Sequence, residues 1–475
     1  MDQYSSQCQE YLQTALNNYL SVLSLGDKPW AVYRLVSLWF SESNCDDPEV
    51  CQLLHRRLPN VSSSKFIPLL YQLAARVQLP KSKHTEFSSI LYSLMVRCVK
   101  EHPHHGIPIA LSLVNAKEDE KYVRSTAANK ENDPRAVALS RLISDLEKSQ
   151  LRTMVQRYRF LCRSLISLAY LQVKDTKTSK FSIPSSQDVM KIKDWTDIPI
   201  LTDTIPVRPD GDYSNSVKGI AKYENYYTMV GGVNAPKKIG CVGTDGVCRP
   251  QLVKGKDDLR QDAVMEQVFG LLNQLLSQNP QTVKRKLTVK TYKVVPLSQR
   301  SGVLGKWDGL AINLTCQLIV VLLSEWCQNT QPMAEYLIGR DTRSGAHKKY
   351  NPKEWDSGTC RKEMQKVAKH SHSKKMEMFM KVCSNFSPAM KYFFLENFSS
   401  PVSYYQSVTA YTRSVATNSM VGHILGLGDR HTNNILIDNN TGEIIHIDLG
   451  IAFDQGKILP TPETVSNTFM VWLLQ

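Results

Sequence analysis

The chain has 475 residues, of which 42% are hydrophobic, and a formal charge of +14 at neutral pH. This length allows two or three domains with a real core, and the hydrophobic fraction is ordinary for a folded soluble protein. The polar N-terminus lacks a signal-peptide pattern, and the most apolar stretch, 310–323, is short and interrupted by polar residues. We therefore expect neither secretion nor a membrane span.

The eleven cysteines form no CxxC pair and no zinc-site spacing, which predicts reduced thiols in a cytosolic or nuclear protein. The net charge suits contact with nucleic acid, acidic lipid or phosphorylated ligands, and it does not choose among them. The densest basic runs, 284–286 and 370–375, lack interleaved aromatic residues. They are typical of a solvated helix face or loop, so direct nucleic-acid binding is not indicated.

The first part of the chain, from Tyr11 to about Val173, has apolar residues at three- and four-residue spacing. This spacing predicts successive helices, which pack either as a solenoid of helix pairs or as an irregular bundle. Within this part, His102, His104 and His105 flank Pro103 without a cysteine or carboxylate partner. We interpret them as a surface turn rather than a metal site.

The helical periodicity stops near residue 174, and four prolines punctuate the stretch that follows, up to residue 215. We predict a linker there. Short β-type runs come next, at 226–230, 238–242, 251–254 and 287–295, with a helical pattern over 260–276. The segment 216–304 is thus predicted to be a small lobe of strands with one inserted helix.

The pattern becomes helical again from Glu363 to Leu425 and predicts a second, mainly helical lobe. Two apolar runs, 435–437 and 444–447, then flank the turn-like residues 438–442, as in a β-hairpin. The fold class is therefore α+β, with a helical solenoid followed by a bilobal domain. Two lobes imply a cleft, which is where a nucleotide would bind.

Residues suited to phosphate binding occur in the first lobe. Gly231 and Gly232 lie between predicted strands, where backbone N–H groups could approach a phosphate, although such a pair is usually just a turn. Lys254 ends an apolar run that should place its ammonium inside a cleft, and acidic residues follow at once. Asp257 or Asp262 could hold this lysine extended toward the phosphates.

The second lobe supplies residues for metal binding and proton transfer. The loop 428–434 precedes the hairpin and Asp448 follows it, so the hairpin should bring the two together. Asn434 and Asp448 can then give hard oxygen ligands to Mg²⁺. Asp429 can accept or orient a substrate hydroxyl, and His431 can donate to the γ-phosphate of ATP.

These motifs resemble those of the serine/threonine protein kinases related to phosphatidylinositol 3-kinase, in the ATM-type branch. The similar segments are DRH at 429–431, GKDDLRQD at 255–262 and HIDLG at 446–450, together with GGVN at 231–234, TYKVVPLSQRSGVL at 291–304 and AYTRSVAT at 410–417. Residues 453–465 also match. The helical part is similar to the end of the family's FAT domain, at 66–76 and 102–105.

The resemblance implies domains in the order FAT-like region (1–173), linker (174–215), kinase N-lobe (216–304), and hinge with part of the C-lobe (325–465). It also implies adenine contacts at Glu325, Trp326 and Cys327, with ATP as substrate and Mg²⁺ or Mn²⁺ as cofactor. The whole protein is expected to be nuclear and homodimeric. It is further expected to be recruited by DNA-break sensor proteins, and to phosphorylate serine or threonine before glutamine in DNA-damage signalling.

Two segments depart from the family pattern. Residues 305–324 interrupt the run into the hinge, and residues 466–475 stand where the family continues through its activation loop and later helices. We interpret both as intron-derived, and expect an insertion that loops out and a truncated C-lobe that holds the catalytic residues poorly.

Two alternative functions follow. A catalytically impaired product could act as a binding module through its helical part. A phosphoinositide kinase of the same superfamily is the weaker alternative, because a lipid headgroup needs basic residues in the activation loop. Residues 451–465 offer only Lys457 against Asp454 and Glu463.

Overall fold

The computed structural model describes most of the chain, in the ranges 2–26, 28, 30–80, 85–122, 133–172, 180–214, 217–230, 235–306, 329–339, 344–453 and 455–458. It divides into two compact units, which are described separately. The first comprises residues 1–264 and 293–308, and the second comprises 265–292 and 309–475. None of the helices in the described ranges is long and apolar enough to cross a membrane.

The first unit begins with a helical region, as the sequence predicts. Its helices are α1 (Asp2–Leu25), α2 (Trp30–Trp39), α3 (Pro48–Arg57), α4 (Leu70–Arg76), α5 (Thr85–Glu101), α6 (Pro103–Val114), α7 (Pro134–Leu146) and α8 (Arg152–Ala169). Short 3-10 turns occupy Leu58–Asn60, Ser63–Leu69 and Asn115–Lys121. Local signals set the boundaries: the carboxylate of Asp47 accepts the N–H groups of Glu49 and Val50, and Pro48 opens α3.

The three histidines that we predicted in a surface turn instead lie at the start of α6. His102 is buried, and its ring nitrogens pair with the hydroxyls of Ser63 (2.9 Å) and Tyr213 (2.7 Å). His104 pairs with the Tyr158 hydroxyl, and His105 bonds the carbonyl of Ile205. Burial lowers the pKa of both His104 and His105 to about 4, so these side chains are neutral packing groups. The surface-turn prediction was wrong because Pro103 opens a helix here rather than a turn.

A seven-stranded sheet completes the first unit. Its strands are β1 (Lys180–Ser182), β2 (Lys193–Pro199), β3 (Gly219–Met229), β4 (Lys237–Gly243), β5 (Cys248–Gly255), β6 (Tyr292–Pro296) and β7 (Ser301–Lys306). The order is β1-β3-β4-β5-β7-β6, and β2 also pairs with β3. The stretch predicted as a linker thus supplies two strands, both paired antiparallel with β3. A strand is absent from 287–291, where the backbone of Val289 bonds the Asn273 side chain instead.

One apolar core joins the helices and the sheet of the first unit. Its buried members include Trp39 and Tyr158 from the helices and Ile239 and Val303 from the strands. Helix α9 (Arg260–Gln278) follows β5, in agreement with the predicted helical pattern, and the division between the units falls within it.

The second unit contains further helices and a small sheet. The helices are α10 (Pro280–Lys284), α11 (Met333–Leu337), α12 (Ala346–Tyr350), α13 (Ser357–Lys366), α14 (His372–Ser384), α15 (Met390–Asn397) and α16 (Pro401–Ile424). The strands β8 (Thr330–Pro332), β9 (Ile435–Asp438) and β10 (Ile444–His446) pair in the order β10-β9-β8. The hairpin and the helical stretch before it are as predicted, and the basic runs 284–286 and 370–375 are exposed.

Two apolar clusters hold the β9–β10 hairpin within the second unit. Phe393 and Val415 pack against Ile435 and Ile437 of β9. A separate cluster includes Phe269 of α9 and Leu449, which lies just beyond β10. The backbone on both sides of the hairpin is therefore fixed by packing.

Candidate active site

The first part of the candidate site lies at the end of β5, in the first unit. Lys254 pairs with Gly302 of β7, and its side chain is mostly buried. Its ammonium lies 3.1 Å from Oδ2 of Asp257, with which it forms an ion pair. The sequence left Asp257 and Asp262 as alternative partners, and the structure places Asp257 beside the lysine. Asp262 is buried in the first turn of α9.

The turn between Lys254 and Asp257 has an unusual backbone. Lys256 adopts a left-handed conformation with φ of 63°, which L-residues seldom occupy without support. The N–H of Asp257 donates to the carbonyl of Arg300 at 3.1 Å. The turn between β6 and β7, where Arg300 lies, therefore supports this backbone conformation. This turn folds the carboxylate back onto the lysine three residues earlier.

The second part of the candidate site lies at one end of the β9–β10 hairpin, in the second unit. Asn434 immediately precedes β9, and its carbonyl accepts the N–H of Ile447, which follows β10, at 3.0 Å. Asp448 is the next residue. The hairpin thus brings Asn434 and Asp448 to the same end, as the sequence predicts.

Asp429 and His431 lie in the loop before this hairpin. The side-chain amide of Asn434 donates to the backbone carbonyl of Asp429 at 3.0 Å and approaches its carboxylate at 3.4 Å. His431 Nε2 is 3.9 Å from Asp429 Oδ1, and both side chains are partly exposed. The three predicted site residues of this loop therefore lie within 3.9 Å of one another, with Asp429 next to both Asn434 and His431.

Arg430 fixes the loop 428–434 to the segment after the hairpin, a role that we did not predict from the sequence. Its buried guanidinium donates to the carbonyls of Gly428 (2.7 Å), Ile447 (2.8 Å) and Asp448. A planar group with five donors suits three converging carbonyls. The only signal in the sequence is an arginine directly after the aspartate of a polar loop.

Both acidic residues of this part have left-handed backbones, with φ of 57° at Asp429 and 58° at Asp448. Such conformations persist only where the surroundings determine them, and they cluster at functional sites. The Arg430 contacts and the bond from the Gly428 N–H to the Ile451 carbonyl supply that determination.

His446 lies in the predicted hairpin, but we did not predict a role for its side chain. It is buried in β10, and burial together with the positive charge of Arg430 lowers its pKa to about 3. It is therefore neutral at physiological pH, and neither ring nitrogen has a hydrogen-bond partner among the described residues.

The donors near the hairpin fit a divalent cation that is also bound by a nucleotide. The Asn434 amide nitrogen donates to Asp429, so its oxygen is the atom that could bind a cation, and the Asp448 side chain is exposed. Within the described ranges, no three His, Cys, Asp or Glu residues cluster closely enough to hold a metal by themselves. Mg²⁺ commonly takes one or two protein oxygens and completes its shell with substrate phosphates and water.

Five predicted site residues, Gly231, Gly232, Glu325, Trp326 and Cys327, lie outside the described residues. The same holds for most of the atypical segment 305–324 and for all of 466–475. Their predicted roles remain predictions.

Comparison with known proteins agrees with this geometry. The family model of phosphatidylinositol 3- and 4-kinases matches residues 250–466, which include both parts of the candidate site. The serine-protein kinase ATM of Sus scrofa is 43% identical over 472 residues, covering 96% of this chain and 15% of that protein. The ATM kinase of Drosophila melanogaster is 39% identical, covering 98% of this chain and 16% of that protein.

The chain belongs to the ATM-type branch of the phosphatidylinositol-3-kinase-related kinases. Among solved structures, the FAT and kinase domain of CtTel1 superimposes with a TM-score of 0.78 at 32% identity, covering 98% of this chain and 30% of that one. A complete CtTel1 dimer gives the same TM-score and identity, with 98% of this chain and 16% of that chain covered. This ATM-type chain thus spans about one sixth of the length of its curated relatives.

Proposed function

We propose that the chain carries the phosphoryl-transfer residues of a serine/threonine protein kinase. The observation that carries the proposal is the arrangement at the hairpin end, where the Asn434 side chain donates to Asp429 and the buried Arg430 donates to the backbone carbonyl of Asp448. A loop that presents a base and two oxygen ligands, in a chain of this family, fits phosphoryl transfer better than any other reaction.

In this proposal each residue has one task. Lys254, oriented by Asp257, binds the phosphates of ATP. Asp429 takes the proton of the substrate hydroxyl as its oxygen forms a bond to the γ-phosphorus, while the bond from that phosphorus to the β–γ bridging oxygen breaks and ADP leaves. His431 donates a hydrogen bond to the transferred group. Asn434 and Asp448 would hold Mg²⁺ or Mn²⁺, which would supply positive charge to neutralise the phosphates.

The remaining predicted site residues are assigned by family resemblance. Gly231 and Gly232 would cover the phosphates with backbone N–H groups, and Glu325, Trp326 and Cys327 would contact the adenine. Asp262 is assigned to the nucleotide site as well. Its burial at the start of α9 favours a role in supporting the turn after Lys254.

The whole protein is proposed to act in the nucleus on serine or threonine followed by glutamine, in DNA-damage signalling and after recruitment by DNA-break sensor proteins. The names of the relatives, which include serine-protein kinases, support a protein substrate. The dimeric state of a similar CtTel1 structure supports a homodimer. The scarcity of basic residues in 451–465 disfavours a lipid headgroup.

The test is transfer of labelled phosphate from ATP to three acceptors: a Ser-Gln peptide, the matched Ser-Glu peptide and phosphatidylinositol vesicles. We expect labelling of the Ser-Gln peptide, less labelling of the Ser-Glu peptide, none of the lipid, and no labelling by the Lys254→Met variant. Labelling of the lipid alone would contradict the proposal. Magnesium-dependent ATP binding without any transfer would instead support the alternative of a catalytically impaired binding module.

A further inference from the structure

A buried carboxylate in the helical region contacts the strand turn that supports the lysine site. Asp119 lies in the 3-10 segment after α6, and only 3% of its surface is exposed. Its Oδ2 accepts the N–H of Arg300 at 2.9 Å, and its Oδ1 accepts the hydroxyls of Ser301 at 2.6 Å and Tyr170 at 3.1 Å. A buried charge is costly unless its oxygens are satisfied, and here each oxygen has a donor.

Two of these three donors belong to the β6–β7 turn, about 180 positions further along the chain. The same 3-10 segment makes another contact with this turn, because the side-chain amide of Asn115 donates to the carbonyl of Leu297 at 3.2 Å. Within the turn, the N–H of Leu297 donates to the carbonyl of Ser301 at 2.9 Å. The helical region therefore forms hydrogen bonds with both ends of this turn, at Leu297 and at Arg300–Ser301.

The β6–β7 turn is also hydrogen-bonded to the lysine site. Arg300, whose N–H is held by Asp119, uses its carbonyl to accept the N–H of Asp257. Asp257 then pairs with Lys254 through its side chain. Ser301, the other turn donor, is in register with Gly255 of β5. Every step of this chain of contacts lies within the first unit.

Tyr170 provides a parallel connection. Its hydroxyl donates to Asp119 at 3.1 Å, and its neighbour Ala169 lies against Gly255 of β5, the residue before Lys256. Lys256 is the residue with the left-handed backbone that folds Asp257 back onto Lys254. Asp119 is thus connected through Tyr170 to the end of β5, next to the turn that positions the Asp257 carboxylate.

We propose that Asp119 is a positioning residue that sets the geometry of the Lys254–Asp257 pair from the helical region. The inference rests on the proposed function, since it gives that pair the task of binding ATP phosphates. The site then responds to the state of the helical region: any event that shifts the 3-10 segment at 115–121 moves Asp257, and with it the orientation of Lys254. This gives the helical region a physical route for regulating nucleotide affinity.

The test compares the full chain with its Asp119→Asn and Ser301→Ala variants, and uses Asp47→Asn as the matched control. Asp47 also changes from a carboxylate to an amide in the helical region, where it caps α3 and accepts a hydrogen bond from the Gln9 side chain, and neither contact involves the β6–β7 turn. Backbone hydrogen exchange is measured at 254–258 and 298–302, and Mg-ATP affinity is measured by titration. We expect faster exchange in both segments for the Asp119 and Ser301 variants, a Kd for Mg-ATP raised about tenfold by Asp119→Asn, and no change in the control.

The two readouts separate the two proposals. Failure of the unmodified chain to bind Mg-ATP overturns the proposed function, and the exchange data still decide whether the contacts form a relay. Faster exchange at 298–302 with unchanged exchange at 254–258 overturns the relay, because the effect then stops at the turn. If Asp119→Asn does not fold, Ser301→Ala, which removes one donor and leaves the carboxylate in place, decides the same question.

Discussion

The two parts of the candidate site are held in place in different ways. The proposed catalytic loop (428–434) and the segment after the hairpin are joined by Arg430, and hydrogen bonds within residues 428–451 connect Asp429, Asn434 and Asp448. The Lys254–Asp257 pair depends on a strand turn whose own position is set by Asp119 in the helical region. One part is determined locally, whereas the other is open to control from a distant segment.

This difference predicts that substitutions in the two parts will have different effects. Changes in the catalytic loop should alter the chemical step or the stability of the second unit. Changes around Asp119 should alter nucleotide affinity while the chemical step keeps its rate. Four experiments test this distinction, in order of decreasing expected effect.

The largest effect is expected for Asp429→Asn. An amide cannot take the hydroxyl proton, so we expect kcat to fall by about a thousandfold, within the range attributed to general base catalysis. The Kd for Mg-ATP should stay within about twofold, since the amide keeps the hydrogen bonds of the loop. Initial rates with a Ser-Gln peptide and nucleotide titration measure the two quantities. Asp356→Asn, which changes only the exposed N-cap of α13, is the control. Equal losses in both variants would count against the assignment.

Arg430→Lys should have the next largest effect. A lysine ammonium cannot bridge three carbonyls, so buried acceptors and a poorly paired charge remain, and the free energy of unfolding should fall by roughly 3 kcal/mol. Urea unfolding of the two proteins measures the difference. The exposed Arg361→Lys should change it by less than about 0.5 kcal/mol. A matching small change at Arg430 would mean that the loop does not depend on this guanidinium.

The half-buried histidines of the first unit predict a smaller, pH-dependent effect. His104 and His105 have folded-state pKa values of about 4, below the value of about 6.5 expected when unfolded. Their contribution is therefore present above pH 6.5 and is lost as the pH falls toward 4, by roughly 1 to 2 kcal/mol per histidine at pH 5. Urea unfolding at pH 7 and pH 5 should show this loss, and His104→Gln should reduce it. An unchanged pH dependence in that variant would contradict the assignment.

The smallest effect is expected for Lys290→Met. The Lys290 ammonium lies 2.8 Å from Asp438 and 3.0 Å from Glu443, which lie at the two ends of the hairpin turn. Burial lowers the pKa of Lys290, but the charges of Glu443 and Asp438 outweigh it and raise that pKa overall. Asp438 also accepts two backbone N–H groups, so we expect a loss of about 1 kcal/mol in the free energy of unfolding. Lys284→Met, at an exposed position, is the control. An equal loss of unfolding free energy in that variant would show that the ion pairs of Lys290 do not stabilise the hairpin.

The sequence predicts the local features well because they depend on short-range signals. The apolar runs and turn residues of 435–447 specify the hairpin, and the hairpin brings Asn434 and Asp448 to the same end. The apolar spacing of the helical region likewise specifies its helices. The pairing of Asp257 with Lys254 could not be predicted, because it depends on the left-handed turn at Lys256 and on the bond from the Asp257 N–H to Arg300.

The features that were not predicted depend on contacts between distant residues. His102 is buried because Tyr213, more than a hundred positions away, pairs with it. Strands β1 and β2 form in the supposed linker because β3 offers an edge to each. The role of Asp119 requires the β6–β7 turn, and nothing in residues 115–121 signals it. Long-range pairing partners of this kind leave no periodic pattern in the sequence.

The most direct test of the account is the thermal midpoint of the full chain with ATP, with and without Mg²⁺, compared among the unmodified protein, Lys254→Met, Asp448→Asn and Asp429→Asn. A ligand that binds only the folded state raises the midpoint. We predict a magnesium-dependent rise in the unmodified protein and in Asp429→Asn, and a loss of that rise in the other two variants. The same rise in all four proteins, or none in the unmodified protein, would contradict the claim that Lys254 and Asp448 serve one magnesium-bound nucleotide.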